Sequence, residues 1–250
     1  MKRFLLTVMI LPGMLLAFTP GKWSHLDQYT MGGKKWGPSK EVVKNKSGEV
    51  IYTAKYEYDA EGRLTGEFYF DKNNKPDGKT VFAYKDNKLV SETLYDWNDI
   101  VKEKKVFEYN GSALSKIVLY DGNKEVELVC VVGEMKNGIV SHGETKWKVS
   151  DDTEKFQVSP DKKNKNVLVQ VILDKQENKV GEVRYYFDSA GNLEKRENEQ
   201  QGQKRLNKLS YSKSGQLENY SFHVKQGNGW DLVKTHHLIY ENKKQASLAN

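Results

Sequence analysis

Five histidines are the side chains of this chain that most readily bind a metal ion. His236 and His237 are adjacent, and adjacent side chains on a strand point to opposite faces, so the two cannot easily share one ion. His25, His142 and His223 have no Cys, Asp or Glu at the spacing of known metal sites. The sequence therefore predicts structural or surface histidines, and replacing His142, His236 or His237 by Ala is expected to change stability very little.

Two further features invite a functional reading and favour a structural one. Cys130 is the single cysteine, so a disulfide within the chain is impossible, and its position in the apolar run 129–132 predicts a buried thiol. The turn that begins at Asp71 is faintly similar to a calcium loop, but Lys75 occupies the fifth position and the closing Glu is missing. We interpret it as a hairpin turn.

Catalytic motifs are absent from the sequence. There is no G-x-S-x-G, no H-E-x-x-H and no phosphate-binding glycine loop. We predict no catalytic, cofactor-binding or metal-binding residues, no cofactor and no enzymatic activity. Because a catalytic group can assemble from distant residues, an unrecognised hydrolase stays as an alternative.

The charged residues indicate a solvated surface. Lys and Arg number 40 and Asp and Glu 34, and Lys and Glu are interspersed along the whole chain. A nucleic-acid groove requires clustered basic residues beside exposed rings, so we predict no nucleic-acid partner.

Residues 1–20 have the pattern of a secretory signal peptide. Lys2 and Arg3 precede an apolar stretch from Phe4 to Phe18, and no acidic residue occurs before Asp27. The stretch is short and no stop-transfer pattern follows, which favours a cleaved leader over a membrane anchor. We expect an extracytoplasmic protein, in the periplasm, at the cell surface or secreted, with no transmembrane span after processing.

A repeated unit predicts the fold. It consists of an aromatic residue, a short polar turn that usually contains Gly, and then an aliphatic residue. The leading aromatic residues are 24 to 26 positions apart within each group of units, and we expect them to point inward beside hairpin turns. They are Tyr58, Tyr84, Tyr109, Phe187 and Tyr211.

Each unit has the two-residue period of a half-buried strand on both sides of its turn. Tyr56 and Tyr58 share one face before the first turn, and Leu64, Gly66, Phe68 and Phe70 share a face after it. Gly62, Gly191 and Gly215 provide the positive φ that tight hairpins need. The pattern predicts an all-β, antiparallel meander of repeated β-hairpins that forms an elongated curved sheet, with a half-barrel or a β-sandwich as the alternative.

The domain organisation follows from this pattern. After the leader, residues 21–40 form an irregular N-terminal segment suited to covering a sheet edge, and residues 41–245 form the β-hairpin repeat domain. The repeat is degenerate between residues 130 and 180, where a boundary near 150–165 is the second interpretation.

Two of the units resemble a known family. Tyr56-Glu57-Tyr58-Asp59-Ala60-Glu61-Gly62-Arg63-Leu64 is similar to the YD (RHS-type) repeat, whose core is Y-x-Y-D-x-x-G-R-L, and residues 185–193 are a close second. The resemblance implies hairpins in a long, curling sheet. The chain has too few repeats for the closed shell of the large family members and lacks their C-terminal toxin domain, so the resemblance implies architecture and almost no activity.

The sequence thus favours a non-enzymatic exported bacterial envelope protein, a structural or protein-binding scaffold whose partners are other envelope proteins. A carrier that holds an apolar ligand on a concave, aromatic-lined sheet is the alternative. A transmembrane barrel is disfavoured, because the non-core strand faces carry Lys and Glu, which lipid does not tolerate. The oligomeric state stays open.

Overall fold

The computed structural model describes residues 24–241 except 134, 137, 138 and 149. The predicted signal peptide, residues 1–20, lies outside the described residues. Within the described part of the chain, no helix is long and apolar enough to cross a membrane.

The described residues form one short helix and 18 strands. The helix α1 spans Asp27–Thr30. The strands are β1 Lys40–Asn45, β2 Val50–Tyr58, β3 Leu64–Asp71, β4 Pro76–Lys85, β5 Lys88–Asp96, β6 Val101–Asn110, β7 Ala113–Asp121, β8 Val126–Val132, β9 Met135–Lys136, β10 Ile139–Val140, β11 His142–Trp147, β12 Thr153–Pro160, β13 Val167–Leu173, β14 Lys179–Phe187, β15 Leu193–Gln200, β16 Gln203–Tyr211, β17 Leu217–Gln226 and β18 Gly229–Ile239.

Sixteen of these strands form a closed antiparallel barrel, and β9 and β10 form a separate two-stranded sheet. Neighbours in the chain are neighbours in the barrel, as the predicted meander requires. The first and last strands then pair, with Lys40 opposite Ile239 and Asn45 opposite Lys234. The prediction of an all-β antiparallel hairpin meander is confirmed. The elongated curved sheet is wrong, because the sheet closes completely, further than the half-barrel that was the alternative. Pairing β1 with β18 removes both free edges, which would otherwise expose unpaired backbone N–H and C=O groups.

A β-bulge beside the hairpin turns decides which side chains point inward. After the first turn the register shifts between Glu57 and Tyr58, so Tyr58 lies opposite Leu64 while Tyr56 lies opposite Glu67. The same shift occurs before Tyr84, Tyr109, Phe187 and Tyr211. Since one extra residue reverses the faces, the predicted common face of Leu64, Gly66, Phe68 and Phe70 is wrong beyond Leu64.

The repeat aromatic residues lie inside the barrel beside the turns, as predicted. Tyr58, Tyr84, Tyr109 and Phe187 pack against the main core cluster, and Tyr211 packs against a smaller one. The interior is apolar next to the turns, where Leu64, Leu89, Leu114 and Leu217 are all nearly inaccessible to solvent.

Residues 24–37, named the plug here, enter the barrel at the end that carries the turns at Gly62, Gly111, Gly191 and Gly215. Ser24, His25, Leu26 and Tyr29 are all buried. The exit from the barrel is fixed by hydrogen bonds from the Trp36 N–H to the Gly62 carbonyl and from the Ser39 N–H to the Ile239 carbonyl, at 2.9 and 2.8 Å. The segment contains the short helix α1, and it fills the interior instead of covering a sheet edge.

Candidate functional site in the barrel interior

A cluster of polar side chains surrounds Glu41 on the inner face of β1. Glu41 is 2% exposed and accepts hydrogen bonds from the Tyr56 hydroxyl of β2 and from Nδ1 of His236 of β18. The plug adds His25, whose Nε2 lies 3.9 Å from the second carboxylate oxygen of Glu41. Tyr220 of β17 stacks on the His236 ring, with centroids 3.9 Å apart. The cluster therefore joins the plug to the strands on both sides of the barrel closure.

The cluster holds one ionised carboxylate among neutral rings. Burial alone would raise the pKa of Glu41, but the neighbouring His25 and the hydrogen bonds from His236 and Tyr56 outweigh it and hold the pKa at about 2. Burial lowers the pKa of His25 to about 4, against the attraction of Glu41. Burial also lowers the pKa of His236. At neutral pH, Glu41 is charged and His25 is a neutral imidazole.

Glu67 of β3 lies deeper in the same interior and has the opposite protonation state. It is 2% exposed, and its carboxyl accepts a hydrogen bond from the Tyr69 hydroxyl at 2.7 Å. Tyr69 is also within 2.8 Å of the Thr80 hydroxyl. Burial raises the pKa of Glu67 to about 8. A carboxyl that is protonated at neutral pH can donate a hydrogen bond, which is one property of a general acid.

A second ionic group lies on β5 and β6. Lys105 Nζ contacts Glu92 at 2.7 Å and Glu103 at 3.9 Å, and Lys105 is 2% exposed. Arg196 of β15 lies over the Tyr185 ring at 5.7 Å, and the Tyr185 hydroxyl donates to Gln170 at 2.8 Å. Buried charges of this kind persist only when each is paired.

These groups do not form a recognisable catalytic or metal-binding arrangement. Among the described residues, no group of three or more His, Cys, Asp or Glu side chains is arranged to hold a metal ion. Glu41 contacts both His25 and His236. Among the residues that the structure describes, none of the three is hydrogen-bonded to a Ser, Thr or Cys. The arrangement supports cohesion between the plug and the wall.

The other residues considered in the sequence analysis lie outside the Glu41 cluster. His237 points outward and lies 2.6 Å from Asn219, so the prediction that His236 and His237 face opposite ways is confirmed. His223 lies 2.8 Å from the Ser221 hydroxyl, and His142 is exposed. Cys130 is buried, as predicted. The Asp71 carboxylate accepts the N–H groups of Asn73 and Lys75, both at 2.8 Å, which confirms the hairpin turn.

Sequence reasoning missed the Glu41 cluster. His25 and Glu41 are close in sequence, but His236 is 195 residues from Glu41, and only closure of the barrel brings them together. One signal was present: Glu41 lies two residues before Val43 on a strand of alternating character, and a charged residue on the core face requires a buried partner.

The outer wall of the barrel is charged. Its exposed residues include lysine and glutamate on most strands, and neighbouring strands pair them in Lys116–Glu108 at 2.7 Å and Lys204–Glu199 at 2.9 Å. Arg184 contacts Glu182 at 2.5 Å on the same surface. A barrel in lipid carries an apolar outer band, and a Lys or Arg at the bilayer midplane costs about 2–4 kcal/mol. This wall carries charged side chains on its strands, together with exposed apolar ones such as Val81, Val131 and Ile239.

Comparison with known proteins identifies the fold alone. No family model and no curated protein matches the chain. A porin-like protein from Bacteroides uniformis ATCC 8492 is similar in structure, with a TM-score of 0.53 and 10% identity, over 83% of this chain and 98% of that one. A porin-like protein from Bacteroides vulgatus ATCC 8482 has a TM-score of 0.36 and 9% identity, over 84% and 100% of the two chains. A TcdB2-TccC3-Cdc42 structure, at a TM-score of 0.25 and 9% identity, covers 77% of this chain and 15% of that one.

The resemblance to the YD (RHS-type) repeat family is wrong. The sheet closes into a 16-stranded barrel, and the fold is that of a porin-like protein, which matches nearly end to end. The Y-x-Y-D-x-x-G-R-L segment reflects the local chemistry of one hairpin. Tyr58 points inward, Gly62 has a φ of 81°, and the Asp59 carboxylate accepts the N–H groups of Glu61 and Arg63.

Proposed function

We propose that the protein is a non-enzymatic, extracytoplasmic envelope protein whose barrel is surrounded by water and which binds other envelope proteins through its outer wall and loops. The observation that carries this proposal is the contrast between a packed interior and a solvated, charged outer face. On the inner face Phe82 is 6% exposed and the ionisable Lys105 and Glu67 are 2% exposed, while the outer face carries ion pairs between strands. The hydrophobic effect therefore stabilises the barrel from within.

A pore function has less support than a scaffold function. In a porin the interior is polar and filled with water. Here the inner face carries packed rings and leucines beside paired ionic side chains such as Lys105 and Glu92, and the plug enters at one end, so solvent contact is small even for these ionic groups. A wall of this kind positions loops rigidly at both ends, which suits protein binding.

The test is extraction without detergent. The full chain with its leader is expressed in a bacterium with two membranes, and the envelope is washed with high salt and then with alkaline carbonate. We expect release of the protein into the aqueous washes and an intact mass that lacks the first 17 to 22 residues. The host's own porins serve as the control and remain in the membrane fraction. Retention with the porins until detergent is added would overturn the proposal. An intact mass that still includes Met1 would show that the predicted leader is not removed.

A ligand carrier is the second candidate, and one observation favours it. Aromatic rings line the inner face in a regular series, from Tyr58 to Tyr211. Native mass spectrometry of the detergent-free protein separates the two candidates. A mass equal to that of the processed chain supports the scaffold, whereas an added mass that solvent extraction recovers as lipid would support the carrier.

A further inference from the structure

Four hairpin turns at one end of the barrel have the same hydrogen-bond pattern. This end, named the far rim here, lies opposite the entrance of the plug and carries the β3–β4, β5–β6, β7–β8 and β13–β14 turns, among others. In each of the four, an aspartate carboxylate accepts the N–H groups two and four residues later at 2.8–3.0 Å, and the fourth residue of the turn has a φ of 61–67°. The four aspartates are Asp71, Asp96, Asp121 and Asp174.

The β5–β6 turn differs from the other three in its second and fifth residues. These are Trp97 and Ile100, and their side chains are 68% and 55% exposed. The same two positions hold only polar, charged or glycine residues in the other turns, namely Lys72 and Lys75, Gly122 and Glu125, and Lys175 and Asn178. The turn therefore does not need an apolar side chain at either position. Large apolar side chains that are exposed without a structural need indicate a contact with another molecule.

Further exposed apolar side chains lie on the same side of the far rim. Because β18 pairs with β1, the β17–β18, β1–β2, β3–β4 and β5–β6 turns follow one another along the rim. Val50 and Ile51 begin β2, Trp230 is the second residue of β18, and all three are exposed. Among the described residues, the β7–β8 and β13–β14 turns carry no exposed large apolar side chain. We name Val50, Ile51, Trp97, Ile100 and Trp230 the apolar arc, which spans about 30 Å at about 4.8 Å per strand.

Lysines lie beside both tryptophans of the apolar arc. Lys79 Nζ is 2.6 Å from Asp99, and Lys102 Nζ is 3.0 Å from Asp96, so the two carboxylates of the Trp97 turn are compensated. Lys225 Nζ lies 5.4 Å from the centroid of the Trp230 ring. Tryptophan is suited to the boundary between lipid headgroups and acyl chains, where its ring is in apolar contact and its N–H meets water. Ammonium groups at the same depth attract lipid phosphates.

We propose that the barrel binds the surface of a lipid bilayer through the apolar arc, with Trp97 and Ile100 entering the boundary between headgroups and acyl chains. The inference rests on the proposed function, because a barrel that spans lipid would have its whole outer wall in the bilayer. In this arrangement the rim contacts the membrane, and the charged wall stays in water, free to bind other proteins.

The spacing of the arc favours lipid over a protein partner. Its side chains belong to separate turns spread along the rim, whereas the binding energy of a protein interface is concentrated in a packed central cluster. A bilayer surface is fluid and accepts each side chain independently, and every apolar group that leaves water adds to the binding.

The test is flotation of the detergent-free protein with vesicles of phosphatidylethanolamine and phosphatidylglycerol. Titration with vesicles gives the partition coefficient, and we expect the wild type to float with the lipid. Trp97→Gln combined with Ile100→Asn keeps the net charge and the Asp96 turn, and it should lower the partition coefficient at least about 10-fold, because two large apolar side chains no longer leave water. Trp230→Gln is the second, independent variant and should lower it about threefold.

Val131→Thr is the control, since Val131 is an exposed apolar residue of the outer wall at the other end of β8. It should change the partition coefficient less than about twofold. Thermal denaturation checks that each variant is folded, and we expect the turn variants to unfold as the wild type does, because the residues changed are exposed.

Two outcomes would overturn the inference alone. One is a wild type that is washed from the envelope without detergent but does not float with vesicles, which would make a protein the occupant of the arc. The other is a Trp97→Gln/Ile100→Asn variant that floats as the wild type does. Alkaline carbonate should release the vesicle-bound protein, because only one rim contacts the lipid. Protein that leaves the vesicles only in detergent would overturn the proposed function, and the inference with it.

Discussion

The hydroxyl of Tyr84 donates a hydrogen bond to the Leu64 carbonyl, 20 residues earlier, at 2.9 Å. The same bond recurs around the plugged end of the barrel. Tyr109 donates to Leu89 at 2.9 Å, Tyr211 to Leu193 at 2.8 Å and Tyr240 to Leu217 at 3.0 Å. Each bond ties an inward tyrosine to the carbonyl just after the preceding turn at that end. Tyr84, Tyr109 and Tyr211 of the sequence repeat therefore share a hydrogen bond between successive hairpins. Phe187 has no hydroxyl and cannot make it.

We predict that Tyr84→Phe lowers the free energy of unfolding by about 1 kcal/mol, because the Leu64 carbonyl loses its donor. Tyr84→Ala should lower it by about 3 kcal/mol, since the ring also leaves a cavity. Urea denaturation measures both. Tyr95→Phe is the control, because Tyr95 lies on the outer wall beside Lys79. Equal effects of Tyr84→Phe and Tyr95→Phe would show that the inner hydrogen bonds add no stability.

Local features of the fold could be predicted from the sequence, and long-range ones could not. The inward positions of Tyr84 and Tyr109 follow from period-two alternation and turn chemistry, which act over a few residues. Closure depends on pairs such as Lys40 with Ile239, and no local pattern specifies that partner. The bulge beside Tyr58 was also missed, because one unpaired residue leaves no mark on composition yet reverses the faces of β3.

The sequence signals that Glu41 needs a buried partner, but it could not identify His236 as that partner, for the same reason. His236 was expected to be dispensable, but it is 3% exposed and hydrogen-bonded to the buried Glu41. We predict that His236→Ala lowers the free energy of unfolding by about 3 kcal/mol, since an ionised carboxylate loses a buried partner. His237→Ala, on the outer wall, should cost less than about 1 kcal/mol. Thermal denaturation at pH 7 compares the two, and equal losses would contradict the assigned role of His236.

The raised pKa of Glu67 predicts a loss of stability as the pH rises from 4.5 to 8. Its pKa is raised from 4.5 to about 8 in the folded protein, so the folded state binds the proton more tightly than the unfolded state. The free energy of unfolding should therefore fall as the pH rises from 4.5 to 8, by up to about 1.4 kcal/mol per pH unit from this group. Glu67→Gln keeps an acceptor for Tyr69 and should remove that slope.

The measurement is urea denaturation at pH 5.5, 6.5 and 7.5 for the wild type and for Glu67→Gln. The difference between the two curves isolates the titration of Glu67 from that of other groups. Glu108→Gln on the outer wall is the control and should leave the slope unchanged. Parallel curves for the wild type and Glu67→Gln would mean that Glu67 ionises in the folded barrel as it does in water.

The buried pair of Lys105 and Glu92 predicts strong coupling between two substitutions. Lys105→Met removes the cation that lies 2.7 Å from Glu92 and leaves carboxylates in an interior where Lys105 was 2% exposed. We expect a loss of about 3 kcal/mol in the free energy of unfolding at pH 7, most of it the cost of charge left without that cation. In the double variant Lys105→Met/Glu92→Gln, a neutral pair replaces the ionic one, and much of the lost stability should be recovered.

The measurement is a double-mutant cycle by chemical denaturation of the wild type, both single variants and the double variant. Lys116→Met and Glu108→Gln form the matched cycle on the outer wall. The inner pair should couple by at least about 1.5 kcal/mol and the outer pair by less than about 1 kcal/mol. Similar coupling at the two sites would mean that solvent reaches Lys105, and the interior would then have to be regarded as a water-filled channel.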